Sequence, residues 1–252
     1  ATKNRDPVII CELIEKYKIE LLPSSPTFLN LLLLSGAYEK YDLSSLKIIS
    51  YGTEPMSEST LKRLKIIFPK VKLLQTYGLI ELGVMRSKSE KDDSLWVKLS
   101  GDGFKTRVVD GMLEIKAKSA MLGYLNAPSP FTKDGWFKTG DTVEVNGEYL
   151  KILGRKSEII NVGGDKVYPQ EVESVIQEMD NITDVKVYGE KNPIIGNMVC
   201  AKVVLFVDEN RKEFVTELKK FCAMRMKKFM VPVKIEFSDD KLYSERYKKV
   251  RS

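Results

Sequence analysis

The side chains that could do chemistry here are acids and bases other than imidazole, because the 252-residue sequence contains no histidine. That absence excludes Ser-His and Cys-His nucleophile pairs and the commonest zinc ligand. Cys11, Cys200 and Cys222 lie far apart with no C-x-x-C spacing, which predicts reduced thiols rather than a disulfide framework or a thiolate metal site. Any reaction must therefore use Lys, Arg, Asp, Glu or backbone groups.

Two turns in the first third of the chain stand where the predicted elements would place a ligand. Hydrophobic periodicity predicts alternating helices and strands, at 9–17, 19–22, 26–34, 46–50, 58–68 and 71–75. This alternation indicates βαβ units with a parallel sheet. Such sheets bind ligands at the carboxyl ends of their strands, so we expect a site at the turns that follow Ser50 and Gln75.

The remainder of the chain shows two other patterns of predicted secondary structure. Short strands predicted at 106–109, 113–117, 142–145 and 149–152 indicate an antiparallel, β-barrel-like subdomain, with a tight hairpin turn at Asn146-Gly147. Further strands at 158–162, 184–188, 198–207 and 233–237, with helices at 169–179 and 212–226, indicate a small α+β domain. We therefore expect an α/β protein with a partial α/β subdomain at 1–94, a β-rich subdomain at 95–153, a hinge at 154–157 and an α+β domain at 158–252.

Composition and charge limit the classes of partner. With 43% apolar and 30% charged residues the chain is expected to fold, and no stretch approaches the roughly 20 apolar residues of a membrane span. We expect a soluble cytoplasmic protein without a membrane span. The net charge of +6 comes from residues 211–252, which contain 13 Lys and Arg against 6 Asp and Glu. This excess suits a polyanion or a solvated basic helix face, and without an aromatic stacking platform no nucleic acid partner is expected.

Seven short motifs occur in a fixed order along the chain. They are Gly52-Thr53-Glu54-Pro55, Gln75-Thr76-Tyr77-Gly78-Leu79-Ile80-Glu81, Gly123-Tyr124, residues 135–141, Gly154-Arg155, residues 162–169, and residues 244–251. Each motif is weak alone, since a glycine-rich turn is usually only a turn. Together the set resembles the adenylate-forming superfamily of acyl-CoA synthetases, firefly-type luciferases and nonribosomal-peptide adenylation domains, over nearly the whole chain.

The resemblance implies an acid-activating ligase. Such an enzyme joins a carboxylic acid to ATP, giving an acyl-adenylate and pyrophosphate, and then transfers the acyl group to a thiol. ATP, Mg²⁺ and CoA are the expected cofactors and substrates, and the phosphopantetheine arm of a carrier protein fits as the thiol equally well. The identity of the acid does not follow from the sequence.

The same resemblance implies roles for individual residues. The implied nucleotide contacts are Gly52, Thr53, Glu54, Pro55, Gln75, Thr76, Tyr77, Gly78, Ile80, Asp141, Arg155 and Lys166. Among them, Tyr77 offers an aromatic face to the purine, Asp141 can accept both ribose hydroxyls, and Arg155 is a second ribose contact. Glu81 is a carboxylate suited to Mg²⁺. The alternatives are an ordinary turn, a surface acid and a structural salt bridge, and Lys166 could equally face solvent.

A catalytic lysine is implied near the C-terminus. In the family a pattern Thr-x-x-Gly-Lys-x-x-Arg carries it, and Ser244, Lys248 and Arg251 match that spacing. Its ammonium group would offset the charge that builds on the phosphoryl oxygens during adenylation. Tyr247 stands where glycine is expected, so a shift of one residue would make Lys249 the lysine instead, and an exposed basic tail is the alternative for both.

The C-terminal domain is implied to be a mobile lid. Rotation about a hinge at Lys156 and Ser157 would exchange Lys248 for the loop at 162–167 between the two half-reactions. In that loop Gly163 and Gly164 would leave a narrow path for a pantetheine arm.

Two features limit this interpretation. Ile80 stands where the family has a threonine whose hydroxyl meets the α-phosphate, and the Ser/Thr/Gly-rich phosphate loop expected upstream is absent from the chain. We therefore expect a C-terminal half that is inactive alone, whose missing N-terminal half is supplied in cis or by another chain. The second hypothesis is a noncatalytic adenylate-fold module that binds nucleotide or a protein partner, and nucleic-acid binding ranks third.

Overall fold

The first third of the chain alternates helices and strands. We describe a computed structural model, which covers residue 4 and residues 6–91, 93–240 and 242. The elements in this part are α1 (Pro7–Tyr17), β1 (Leu21–Ser24), α2 (Pro26–Ser35), β2 (Ile48–Tyr51), α3 (Glu58–Ile67) and β3 (Lys72–Gln75). Side-chain caps fix where two of the helices begin, because Ser25 accepts a hydrogen bond from the Phe28 amide and Ser57 accepts one from the Thr60 amide.

The three strands form a parallel sheet in the order β1-β2-β3. Leu22, Ile49 and Leu73 point from the sheet into the core that the helices cover. Tyr51 and Gln75 pair at the carboxyl ends of β2 and β3, and the Thr76 amide donates to the Tyr51 carbonyl at 2.7 Å. The parallel sheet is confirmed, and the two turns predicted to bind a ligand lie side by side.

A seven-stranded antiparallel sheet follows. Its strands are β4 (Tyr77–Leu79), β5 (Gly83–Ser89), β6 (Val97–Ser100), β7 (Phe104–Val109), β8 (Met112–Ala117), β9 (Phe137–Asn146) and β10 (Tyr149–Arg155). The order is β4-β5-β6-β10-β9-β8-β7, an open path that does not close into the barrel that the sequence suggested. The periodicity missed β4, β5 and β6, which join this sheet to the end of β3.

The hairpin between β9 and β10 forms, but its turn differs from the prediction. Asn146 pairs with Tyr149, so the two loop residues are Gly147 and Glu148, with φ of 59° at Gly147. The assignment of the turn to Asn146-Gly147 was therefore wrong by one residue. A two-residue turn with positive φ at its first position selects glycine there and leaves the preceding asparagine in the strand.

The C-terminal part is a small α+β domain, as predicted. Its elements are a 3₁₀ segment (Lys156–Glu158), β11 (Ile160–Val162), β12 (Asp165–Val167), α4 (Pro169–Ile176), β13 (Ile182–Asn192), β14 (Gly196–Leu205), α5 (Arg211–Ala223) and β15 (Lys234–Phe237). The sheet order is β12-β11-β14-β13, and β15 pairs in parallel with β14. Apolar residues of α4 and α5, including Val172 and Leu218, pack against this sheet.

Helix α4 also contacts helix α3 of the first part of the chain, through polar hydrogen bonds. The Glu58 amide donates to Ser174 Oγ at 3.3 Å, and Ser59 Oγ donates to the Ser174 carbonyl at 3.4 Å. Asn30 Nδ2 lies 3.5 Å from the carbonyl of Thr183. These long hydrogen bonds make a polar interface between the small domain and helices α2 and α3.

Among the described residues no helix is long and apolar enough to cross a membrane. The longest, α5, has 13 residues, whereas a span takes about 20. Cys11, Cys200 and Cys222 are free thiols, each fully buried.

Candidate functional site

A cavity of about 230 Å³ opens where β3 and β10 end, beside the middle of β9, and where α4 begins. It is lined by Thr53, Glu54 and Pro55 after β2, by Gln75, Thr76, Tyr77, Gly78 and Leu79 after β3, by Asp141, Ile152, Gly154 and Arg155 from β9 and β10, and by Glu158 and Gln170 of the small domain. Four of the seven sequence motifs therefore meet in one place, although they are up to about 100 residues apart.

Asp141 is the centre of the polar wall of this cavity. Its carboxylate accepts a hydrogen bond from Tyr77 Oη on Oδ2, and Arg155 Nε lies 3.0 Å from Oδ1. Arg155 Nη1 also donates to the Thr139 carbonyl at 2.7 Å. Asp141 is only 6% exposed, so these partners satisfy a carboxylate that water scarcely reaches.

Burial dominates the ionisation of this group. It raises the pKa of Asp141 above its ordinary value, although the hydrogen bond from Tyr77 and the charge of Arg155 both act to lower that pKa. The pKa of Tyr77 is raised as well, first by burial and then by the charge of Asp141. Each carboxylate oxygen has a second lone-pair direction, so Asp141 can still accept from a hydroxyl group in the cavity.

Thr139 holds Asp141 in place, a role that the sequence analysis missed. Thr139 Oγ1 donates to the Leu113 carbonyl at 2.7 Å and accepts from the Asp141 amide at 3.0 Å. The signal was present in the sequence, because a threonine two residues before an acid commonly makes this local turn. The hydroxyl ties β9 to β8 at the point where the acid enters the cavity.

The turn after β2 is strained and tightly packed. Thr53 has φ of 73°, which is unusual for a β-branched residue, and such strain tends to occur at functional sites. A Cβ on Gly52 would lie 2.3 Å from Thr76 Oγ1 and 2.6 Å from the Thr76 carbonyl oxygen. The close approach of Thr76 therefore requires glycine at position 52. Gly52 does not line the cavity, whereas Thr53, Glu54 and Pro55 of the same turn do. Glu54 Oε1 accepts from the Thr27 amide at 2.8 Å and fixes the far side of the turn.

Gln75 brings an unsatisfied acceptor to the cavity. Its side chain is 8% exposed, and Oε1 is buried without a hydrogen-bond partner in the described residues. A buried acceptor of this kind is uncommon in native proteins and calls for a donor. It lies beside Tyr77, which offers an aromatic ring to the same space.

Glu81 and Ile80 lie beyond the cavity lining, on the turn between β4 and β5. Glu81 Oε1 accepts from Tyr124 Oη at 2.6 Å, and this hydrogen bond is the main cause of the lowered pKa of Glu81. The Ile80 side chain is fully exposed. The structure thus separates the motif 75–81 into a part that lines the cavity and a part that faces solvent beside it.

The other predicted site residues are not brought to this cavity. Gly163 and Gly164 form the exposed two-residue loop between β11 and β12, and Lys166 is exposed on β12. Lys156 and Ser157 lie in the 3₁₀ segment that leads into the small domain. Lys248 and Lys249 lie outside the described residues, as do Ser244, Tyr247 and Arg251.

Gln170 and Glu158 complete the cavity from the small domain, and no local pattern indicated them. Gln170 follows Pro169 at the start of α4, and its side chain lies within 3.2 Å of the position that a Cβ on Gly154 would take. That approach depends on how two domains pack, which periodicity does not encode.

Comparison with known proteins decides the family. Residues 1–118 match the model of the AMP-binding enzyme family, and residues 171–249 match the model of its C-terminal domain. The chain belongs to the adenylate-forming superfamily. Its relatives include acyl-CoA synthetase 7 of Caenorhabditis elegans, 34% identical over 217 residues that cover 79% of this chain and 40% of the relative. Another is 4-coumarate:CoA ligase 1 of Petunia hybrida, 30% identical over 84% of this chain and 44% of the relative.

A solved structure of this superfamily has the same architecture. ATP-bound MatB from Rhodopseudomonas palustris superposes with a TM-score of 0.78 at 27% identity, over 96% of this chain and 51% of that one. The adenylate-forming chain described here thus spans about half the length of the relatives that it matches, or somewhat less.

The residues of this adenylate-forming chain fit a nucleotide and its cation. The Asp141 carboxylate, held by Tyr77 and Arg155 in the cavity wall, is a ready acceptor for hydroxyl groups. No group of three or more His, Cys, Asp or Glu in the described residues could hold a metal by itself. Glu81 is the carboxylate that would hold Mg²⁺ together with phosphate oxygens, since Mg²⁺ is usually bound by one or two carboxylates and the substrate's phosphates.

Proposed function

We propose that this chain is the nucleotide-binding and lid portion of an AMP-forming acid–thiol ligase. The whole enzyme would activate a carboxylic acid as its acyl-adenylate and transfer the acyl group to a thiol. The observation that supports this best is the cavity in which Tyr77, Asp141 and Arg155 are bonded together beside the unpaired acceptor of Gln75. CoA is the proposed thiol, because the relatives are named as CoA ligases.

In the adenylation step the chain would bind and orient ATP. Tyr77 and Gln75 hold the adenine, Asp141 accepts from the ribose hydroxyls, and Arg155 keeps Asp141 ionised beside them. Mg²⁺, when bound, neutralises charge on the phosphates, and Glu81 is its ligand from this chain. Lys248, or Lys249 in the alternative register, would stabilise the charge that develops as the carboxylate attacks the α-phosphorus.

For the thiol step the small domain would rotate. The 3₁₀ segment at Lys156 and Ser157 is the proposed hinge, and the polar contacts of Ser174 with α3 are weak enough to break. Rotation would bring Gly163 and Gly164 to the cavity as the walls of a thiol path. Lys166 would move with them toward a phosphate.

The proposal includes a second polypeptide segment. The chain covers 40–51% of the relatives and the solved structure cited for it, so the remaining half of the enzyme would be supplied in cis or by another chain. We expect the 252-residue chain alone to give no carboxylate-dependent ATP–pyrophosphate exchange. The intact enzyme is proposed to act in the cytoplasm on a small-molecule acid.

One observation favours a second function. Ile80 is fully exposed and has no hydroxyl group to donate to the α-phosphate. A noncatalytic module that only binds nucleotide or a protein partner does not need such a donor. The two proposals differ in their ligand, because only the ligase needs to hold an acyl-adenylate.

Isothermal titration calorimetry separates the candidates. The chain is titrated with Mg²⁺·ATP, with a non-hydrolysable acyl-sulfamoyl adenosine and with a DNA oligomer. Tight binding of the sulfamoyl analogue that is lost in Asp141→Ala, and kept in Asp208→Ala, supports the ligase. Binding of ATP without the analogue supports the module, and salt-sensitive binding of DNA alone contradicts both. In the completed enzyme only one of Lys248→Ala and Lys249→Ala should abolish adenylation.

A further inference from the structure

The motif Gly123-Tyr124 lies in the long loop between β8 and β9, and the site described above gives it no part. Tyr124 Oη donates to Glu81 Oε1 at 2.6 Å. We propose that Tyr124 is a positioning residue that aims the Glu81 carboxylate at the cation of Mg²⁺·ATP. This inference rests on the proposed function, and it assigns Tyr124 to the metal side of the nucleotide site.

Two other hydrogen bonds fasten the loop to the same turn. The Met121 amide donates to the Glu81 carbonyl at 2.8 Å, and Ser119 Oγ donates to the Leu82 carbonyl at 2.5 Å. These two hydrogen bonds hold the backbone at Glu81 and Leu82. Of the three contacts, that of Tyr124 is the one that holds the Glu81 side chain. Loss of the Tyr124 hydroxyl would therefore release the carboxylate and leave the turn in place.

The backbone at Gly123 delivers Tyr124 to this position. Gly123 has φ of 154°, and nothing lies within 4 Å of where its Cβ would be. Glycine is thus needed for its backbone conformation and not for space, because residues with a side chain rarely adopt such a φ. The conformation turns the chain so that the next side chain reaches Glu81.

Packing does not account for Tyr124. Its side chain is 45% exposed, and the neighbouring Leu122 and Leu125 are fully exposed, so this stretch contributes little to a core. Because this tyrosine–carboxylate contact is half exposed to water, solvent screening limits what it adds to folding stability. What the contact does provide is direction, because a glutamate has three rotatable side-chain bonds and a free carboxylate would occupy many positions. Partners that orient a metal ligand commonly change metal affinity by about 10- to 100-fold.

The test is a double-mutant cycle on this chain, read by calorimetry with ATP in the presence of Mg²⁺ and, separately, of EDTA. Tyr124→Phe should weaken Mg²⁺·ATP binding about tenfold and leave metal-free ATP binding unchanged. In a Glu81→Gln background the same substitution should have no further effect. Tyr17→Phe, at an exposed tyrosine of α1, is the matched control and should match wild type.

A second measurement examines the contact without any ligand. With ¹³C-carboxyl-labelled glutamate, Tyr124→Phe should shift the one carboxyl resonance that is missing from Glu81→Gln. An equal loss of affinity with Mg²⁺ and with EDTA, additive effects in the cycle, or an unmoved Glu81 resonance would each overturn the positioning role. If the wild-type chain does not bind Mg²⁺·ATP at all, the proposed function is wrong and the role of Tyr124 is wrong with it. If the wild-type chain binds Mg²⁺·ATP and Tyr124→Phe binds it equally well, only the role of Tyr124 is wrong.

Discussion

Asp141 and Arg155 lie opposite each other across the β9–β10 ladder, with Arg155 Nε 3.0 Å from Asp141 Oδ1. Arg155 is the last residue of β10, and the 3₁₀ segment that leads into the small domain begins at the next residue. The ion pair therefore joins the buried acid of the cavity to the start of the proposed hinge. A movement of the small domain that pulled on Arg155 would change the charge environment of Asp141 directly.

Asp141→Asn should separate binding from stability. Burial raises the pKa of Asp141, so the folded chain holds this proton more tightly than the unfolded chain does, and ionisation at neutral pH opposes folding. Asparagine removes that charge and can still accept from Tyr77. We expect the variant to unfold at pH 7 at the same temperature as wild type or at a higher one. Its free energy of binding to the acyl-sulfamoyl adenosine should weaken by about 2 kcal/mol, which is typical for the loss of a hydrogen bond to a charged group.

Asp208→Asn is the control for that substitution, because Asp208 is an exposed acid that also lies near an arginine, Arg211. Asp208→Asn should change neither the unfolding temperature nor the affinity for the acyl-sulfamoyl adenosine. If Asp141→Asn lowered the unfolding temperature and the affinity together, the acid would be part of the structural framework rather than of a ligand site.

Tyr77 can be tested through its ring and its hydroxyl separately. Tyr77→Leu removes the aromatic face and should weaken binding of the adenosine analogue by about 2 kcal/mol, a typical contribution of stacking on a base. Tyr77→Phe keeps the ring and should retain most of the affinity. Calorimetry measures the affinity of both variants for the analogue. Equal losses of affinity would mean that the ligand needs the Tyr77 hydroxyl, which donates to Asp141, and not the aromatic ring.

The sequence was informative about which turns form the site and less so about how their side chains meet. The strands at 142–145 and 149–152 were predicted, but an uninterrupted ladder from the observed pairing of Asn146 with Tyr149 would place Gly154 opposite Asp141. A bulge between Ile152 and Gly154 moves Arg155 into that position instead. A bulge adds one residue and shifts the alternation of side chains, but this one lies near the end of β10, where too few residues follow for the shift to be read from the sequence.

Contacts between distant elements were equally hidden. The short strand β4 has only three residues, too few for an alternating pattern, and yet it begins with Tyr77 in the cavity wall. Gln170 reaches the cavity only because α4 packs against the end of β10. The resemblance named Tyr77, Asp141 and Arg155, which the structure brings together, whereas Gln170 required the three-dimensional packing.

Gly52→Ala should destabilise the chain markedly. The new methyl group would lie 2.3 Å from Thr76 Oγ1 and 2.6 Å from the Thr76 carbonyl oxygen, and the backbone of β3 cannot retreat without breaking its pairing with β2. Overpacking of this kind costs about 3 kcal/mol, measurable by urea unfolding. Gly189→Ala is the matched comparison, because its methyl group would first meet a side chain, that of Ile160, at 3.0 Å, which is a looser approach than the one at Gly52. A smaller loss at Gly52 than at Gly189 would contradict the close approach.

The buried thiols should make stability fall at alkaline pH. Burial raises the pKa of Cys11 and of Cys222 to about 11, from an ordinary value of 9.0. Between these values the unfolded chain loses thiol protons that the folded chain retains, so the free energy of unfolding decreases as pH rises, and the full contribution is present only below pH 9. Urea unfolding at pH 8 and at pH 10.5 should show the fall.

Cys222→Ala isolates the thiol from the lysines and tyrosines that titrate in the same range. The variant should lose less stability between the two pH values than wild type, even though its stability at pH 8 is lower because of the cavity left behind. Identical pH dependence in both proteins would show that Cys222 is not shielded from solvent. Reaction with a thiol reagent should be slow in the folded chain and become rapid only in urea.

Ile80→Thr should improve nucleotide binding at no cost to the fold. The Ile80 side chain is fully exposed, so its replacement removes no packing, and the threonine hydroxyl adds a donor beside the phosphates that Glu81 is proposed to reach through Mg²⁺. One hydrogen bond to a charged group contributes about 2 kcal/mol, so affinity for Mg²⁺·ATP should rise by about tenfold or more in calorimetry. Ile80→Val has the shape of threonine without its hydroxyl and should bind like wild type. Equal gains for valine and threonine would place the effect in side-chain shape, and no gain for threonine would put position 80 out of reach of the α-phosphate.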